Sequence, residues 1–123
     1  MAIVLAVAAG GAVGAVSRYA LSSVVTEVVG LRGAGTVVAN LVGAFLLGAV
    51  IGLTEERWEL SETVRNGITV GVLGGFTTFS TYMWDVIYHA EDERWFTGGA
   101  LLVVTVVLGL AAMLGGLAAG RAA

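Results

Sequence analysis

From Gly35 to Thr54 the chain runs for about 20 residues without a charged side chain. At 1.5 Å per helical residue, such a run covers roughly 30 Å, the thickness of a bilayer's hydrocarbon core. Three other stretches share this character. Met1–Val29 is interrupted only by Arg18 and Glu27, the stretch from about Val64 to Tyr88 contains the unusual residues 74–82, and about Phe96 to Leu117 is almost entirely Leu, Val, Ala and Gly. In 123 residues that are 58% hydrophobic, with a mean hydropathy of +0.94, these runs are incompatible with a soluble domain. The expected fold is an all-α membrane protein, one domain over residues 1–123, with four transmembrane helices at about 2–26, 34–54, 63–89 and 95–118. No basic region precedes the first run and it outlasts a signal peptide, so it reads as a retained span.

Several chemistries are excluded by what is missing. Without cysteine there is no disulfide framework, no thiolate nucleophile and no Cys-based zinc site. No phosphate-binding loop, metal-ligand cluster or catalytic triad occurs, so no enzymatic activity is expected. The six basic residues are all Arg and form no basic patch, which argues against nucleic acid as a partner. Acidic residues concentrate in Glu55–Glu62 and Asp85–Glu93, which flank apolar runs and read as solvated loops. His89, the sole histidine, falls in the second of these and reads as a solvated side chain. With four spans, Arg57, Arg65 and Arg121 lie on one side of the membrane and Arg32 and Arg94 on the other. Under the positive-inside rule this near-balance leaves orientation weakly determined and allows insertion both ways; chance in a small protein accounts for it equally.

Pro is absent while Gly numbers nineteen, so glycine here serves close helix contact more than helix breaking. Gly10 and Gly14, Gly48 and Gly52, and Gly67, Gly71 and Gly75 recur at intervals of four. In lipid, where packing drives helix association, that spacing lets backbones approach closely. Several spans carrying it together predict a tightly packed bundle and an oligomer.

The polar residues inside the spans carry the functional signal. Arg18 lies about 22 Å along the first helix, nearer an interface than the midplane. It fits either an interfacial anchor beside Tyr19 or a positive residue in a vestibule that attracts anions. Thr36 and Asn40 share a face of the second helix, with Gly43 on the same side. Asn40 must find partners in lipid, across a helix interface or along a wet pathway. Residues 74–82, Gly-Gly-Phe-Thr-Thr-Phe-Ser-Thr-Tyr, are the least helix-like part of any span. Irregular backbone survives at membrane depth only where protein buries it or where it lines a polar cavity. A break there would turn the carbonyls of Gly74 and Thr77 toward a cation, or N–H groups and hydroxyls toward an anion. Phe79 and Tyr82 stand three apart, and their rings fit aromatic core packing or edge-on contact with an anion.

These residues resemble the Fluc (CrcB) fluoride-channel family. The resemblance rests on three blocks in order: Gly10-Gly11-x-x-Gly14-Ala15-x-x-Arg18-Tyr19, Gly35-Thr36-x-x-x-Asn40-x-x-Gly43-x-Phe45-x-x-Gly48, and Gly71-x-x-Gly74-Gly75-Phe76-Thr77-Thr78-Phe79-Ser80-Thr81. It implies a fluoride-selective passive channel in the cell membrane that lowers cytoplasmic fluoride. It further implies two subunits packed antiparallel in a dual-topology dimer, a break in the third span, and a structural sodium ion held there by the carbonyls of Gly74 and Thr77. The implied pathway residues are Arg18, Asn40, Phe79 and Tyr82, with Ser80, Thr81 and Thr105 as nearby hydroxyls. Partners are then fluoride, membrane lipid, and a second copy or a homologous subunit.

The chain departs from the family's pattern in places. Tyr82 stands for the second pore Phe and brings a hydroxyl that could donate to fluoride or obstruct the path. Asp85 replaces the usual Glu, and the fourth span offers only Thr105 well inside it. Some members pair as heterodimers with one degraded pathway, so a conduction-poor subunit is an alternative. A small multidrug or cation exchanger would want a carboxylate within the first span, where only the terminal Glu27 occurs. A scaffold without a pathway leaves the polarity of Asn40 and Thr77–Thr81 without a use.

Overall fold

A computed structural model describes residues 1–123, apart from the side chain of Glu56. The chain forms helices α1 (Ala2–Val29), α2 (Ala34–Glu56), α3 (Glu62–Asn66), a π-helical stretch (Gly67–Leu73), α4 (Gly74–Phe76), α5 (Ser80–Glu91) and α6 (Trp95–Ala122). Three of these, α1, α2 and α6, are long and apolar enough to cross a membrane. The run from 62 to 91 is divided: helical turns stop at Phe76, Thr77 is extended (φ −90°, ψ 156°), and turns resume at Ser80. The described residues contain no strand.

The turns follow local chemistry. Gly30 ends α1 in the left-handed region (φ 70°), where its N–H donates to the Thr26 carbonyl at 2.9 Å, and glycine adopts that conformation without a Cβ clash. Ser61 begins α3 by accepting from the Val64 N–H.

Packing divides into two close seams. In one, α1 lies against the π-helical stretch and α4: a Cβ on Gly14 would overlap the Val72 carbonyl and crowd the Phe76 nitrogen at 2.8 Å. In the other, α2 lies against α6, and a Cβ on Gly116 would overlap the Phe45 carbonyl. Backbones this near each other exchange dispersion contacts that any side chain would prevent, which is the main source of helix adhesion when the solvent is as apolar as the protein. Little else is buried: the apolar core is Ala39, Leu73 and Tyr82, while long rows of Val and Leu face outward. That inside-out balance is what a bilayer permits.

Two sequence expectations fail at the end of the bundle near the α1–α2 turn. His89 is 1% exposed rather than solvated, and its Nε2 lies 2.9 Å from the Arg32 carbonyl. Asp85 is also buried rather than part of a solvated loop, because α5 begins at Ser80 and carries it inside. Its carboxylate accepts from Thr36 Oγ1 at 2.8 Å and pairs with Arg32 Nε at 3.3 Å. The Arg32 guanidinium also stacks on the Tyr88 ring at 4.1 Å. Asp85, Tyr88 and His89 stand at i, i+3 and i+4, so one face of α5 grips the α1–α2 turn.

Candidate functional site

The helix break at residues 77–79 is held from two sides. Asn40, reaching from α2, donates from Nδ2 to the Thr78 carbonyl at 2.9 Å and accepts at Oδ1 from the Thr78 N–H at 2.8 Å. Its amide therefore satisfies both backbone groups of one residue that no helix serves. One Nδ2 hydrogen is left over. Thr36 and Asn40, sharing one face of α2, both reach the segment after the π-helical stretch, at Asp85 and Thr78 respectively. Gly43 continues that face, where a Cβ would collide with the Thr77 methyl. From α1, Arg18 Nε donates to the Gly75 carbonyl at 3.3 Å. A guanidinium beside the final carbonyls of a helix segment meets the negative end of its dipole.

Breaking the helix diverts particular donors. In an unbroken helix the Thr78 N–H would serve the Gly74 carbonyl, but Asn40 takes it. Likewise the Thr81 N–H goes to Thr78 Oγ1 at 3.3 Å instead of to the Thr77 carbonyl. The Gly74 and Thr77 carbonyls singled out in the sequence are thus among those at the break that lack their helical donors. The Leu73 carbonyl, by contrast, accepts from both the N–H and the hydroxyl of Thr77. Beyond the break, the first turn of α5 presents backbone N–H groups at its positive end.

Beside the break lies a groove of about 540 Å3 between α2 and α6. Its walls include Asn40, Gly74, Thr77, Phe79, Tyr82 and Thr105. Six of the nine candidate residues from the sequence therefore meet in one place. Arg18, Ser80 and Thr81 do not line it: Arg18 is turned to Gly75, and the other two are exposed on α5. Phe79 and Tyr82 do project to one side, their rings 6.2 Å apart and edge to face at 66°. Tyr82 is 4% exposed and donates its hydroxyl proton to the Leu102 carbonyl at 2.7 Å, so that proton does not point into the groove. Thr105 is buried beside the Tyr82 hydroxyl, and its own hydroxyl makes no hydrogen bond of good geometry.

Sequence reasoning passed over part of this arrangement. Thr78 was one hydroxyl among several, yet its backbone is the part that Asn40 binds. Arg32 and His89 were loop residues, although the i, i+3, i+4 pattern of Asp85, Tyr88 and His89 was a readable sign of a helix face. A second polar hollow of about 620 Å3 opens beside them, with Ser22, Thr26, Glu27, Arg32 and Asp85 in its walls.

Comparison with known proteins identifies the family. The family model described as "CrcB-like protein, Camphor Resistance (CrcB)" matches residues 5–117. A protein of Geobacter sulfurreducens named a fluoride-specific ion channel is 37% identical over 98% of both chains. One of Methanopyrus kandleri with the same name is 44% identical over 94% of this chain and 87% of its own. A third, from Nitrobacter hamburgensis and similarly named, is 38% identical over 93% and 91%. With a family model spanning all but the ends and relatives this similar along nearly their whole length, the chain belongs to the CrcB family, and it is a multi-pass membrane protein.

Proposed function

We propose that this protein is a fluoride-selective passive channel, not an enzyme, and that the groove beside the helix break is part of its pathway. The observation that carries the reading is the meeting of Asn40, Phe79, Tyr82 and Thr105 in one groove beside the helix break. Fluoride is small and strongly hydrated, so a selective path replaces water with fixed donors and excludes larger anions. The spare Asn40 N–H and the Thr105 hydroxyl are such donors, and the ring edges of Phe79 and Tyr82 add positive quadrupole without a charge to trap the ion. The names of the relatives support fluoride as the conducted ion.

In this reading the divided segment 62–91 makes a fourth crossing, and two chains pack antiparallel as a dual-topology dimer. The exposure of Phe79, at 73%, and of Gly74 on the groove's rim leaves this face to be covered by a partner. The partner is a second copy or a homologous subunit, with Ser80 and Thr81 supplying hydroxyls along the shared path. The carbonyls of Gly74 and Thr77 fit a sodium ion, since hard oxygen dipoles without helical donors suit a monovalent cation. Bound there, sodium would offset the dipoles of these carbonyls and fasten the break. Arg18, held on Gly75, brings positive charge close to the break without lining the groove.

The test is ion efflux from liposomes containing the purified protein. Rapid fluoride release with negligible chloride release is expected. Equal passage of chloride, or no flux from a well-folded preparation, would overturn the selective channel.

A further inference from the structure

The Tyr82 hydroxyl is turned away from the groove its ring helps to line. It sits on the Leu102 carbonyl of α6 at 2.7 Å, using that oxygen's second lone pair, since the first serves the α6 helix. Phe79, one turn earlier, is 73% exposed and adjoins the break, so its backbone offers the ring little support. Its ring does contact Tyr82, edge to face with centroids 6.2 Å apart. We infer that Tyr82 is a positioning residue: its hydroxyl ties the start of α5 to α6, and the immobilised ring aims Phe79 along the pathway.

Two consequences follow from the chemistry. A phenylalanine at 82 would keep the buried ring but lose its hydrogen bond to Leu102, the directional contact that sets the ring's tilt against α6. With the phenol proton spent on Leu102, an ion in the groove meets an aromatic edge from Tyr82 rather than an O–H. The hydroxyl that α6 itself brings to this wall is that of Thr105, one turn along from Leu102 and buried beside the phenol oxygen. Tyrosine here thus serves the path as a fixed ring, and its hydroxyl acts backward into the protein.

The inference deepens the proposed channel reading, and its test separates the two. Para-fluorophenylalanine placed at position 79 reports the ring by 19F NMR in fluoride-free buffer, for the parent and for Tyr82→Phe. A single narrow resonance is expected in the parent, and a broadened or split one in Tyr82→Phe, with fluoride efflux at least threefold lower. Para-aminophenylalanine at 82, whose amine can donate to the same carbonyl, is expected to restore both. An unchanged resonance in Tyr82→Phe, unchanged flux, or no rescue by the amine would overturn the positioning role. If the parent passes no fluoride, the channel reading fails, while the resonance comparison still decides whether Tyr82 holds Phe79.

Discussion

Asn40→Ala removes the side chain that serves both backbone groups of Thr78, and its cost can be worked from the geometry. Two hydrogen bonds, of 2.9 and 2.8 Å, are lost, leaving the N–H and C=O of Thr78 without protein partners. Interhelical hydrogen bonds in bilayers average about 0.6 kcal/mol each, so the pair is worth roughly 1.2 kcal/mol by that measure. Stranding a buried donor or acceptor raises the cost to about 1–3 kcal/mol per group. Water from the adjoining groove can rehydrate one of them, so a loss of about 2 kcal/mol is expected. At 1.4 kcal/mol per tenfold, that reduces the population with an ordered break by roughly 30-fold relative to its alternatives. The assay pairs reversible unfolding in mixed micelles with fluoride efflux from liposomes. Asn40→Asp is the control: it retains the acceptor for Thr78 N–H but sets a carboxylate oxygen against the Thr78 carbonyl and a negative charge beside the path. Both variants are expected to lose at least tenfold in flux, and Asn40→Ala also to lose stability. If Asn40→Ala unfolds within about 0.5 kcal/mol of the parent and conducts normally, the claim that Asn40 holds the break is wrong.

Three other outcomes are expected. Gly116→Leu forces a side chain into the Phe45 carbonyl and should separate α2 from α6, seen as aggregation or loss of the folded peak in size-exclusion chromatography; a monodisperse, normally stable variant would contradict the close seam. His89→Ala gives up the bond to the Arg32 carbonyl and leaves a void, so a stability loss of about 1–3 kcal/mol is expected in micelle unfolding, whereas a solvated histidine would give none. Replacing sodium throughout purification with a bulky organic cation should weaken the assembled form on size-exclusion chromatography, with sodium restoring it; indifference to the cation would argue against carbonyl ligation by Gly74 and Thr77.

What could be read in the sequence were properties that add up locally. A long apolar run specifies its solvent whatever surrounds it, and α1, α2 and α6 cover such runs. The common face of Thr36, Asn40 and Gly43 follows from helical periodicity alone, and the four-residue spacing of Gly48 and Gly52 marked a seam whose other half, Gly116 and Gly120, repeats the same interval. The glycine- and hydroxyl-rich stretch at 74–82 announced irregular backbone for the same local reason. Tertiary structure alone decided which partner each polar group obtained. Asn40 meets Thr78 across 38 positions, while Arg18 meets Gly75 and His89 meets Arg32 across 57. His89 and Asp85 looked solvated because their neighbours in sequence are charged, yet α5 turns them toward Arg32 and Thr36. A side chain's environment depends on the segments packed against it, and a hydroxyl such as that of Tyr82 can face an ion or a helix carbonyl with no change in the residues beside it.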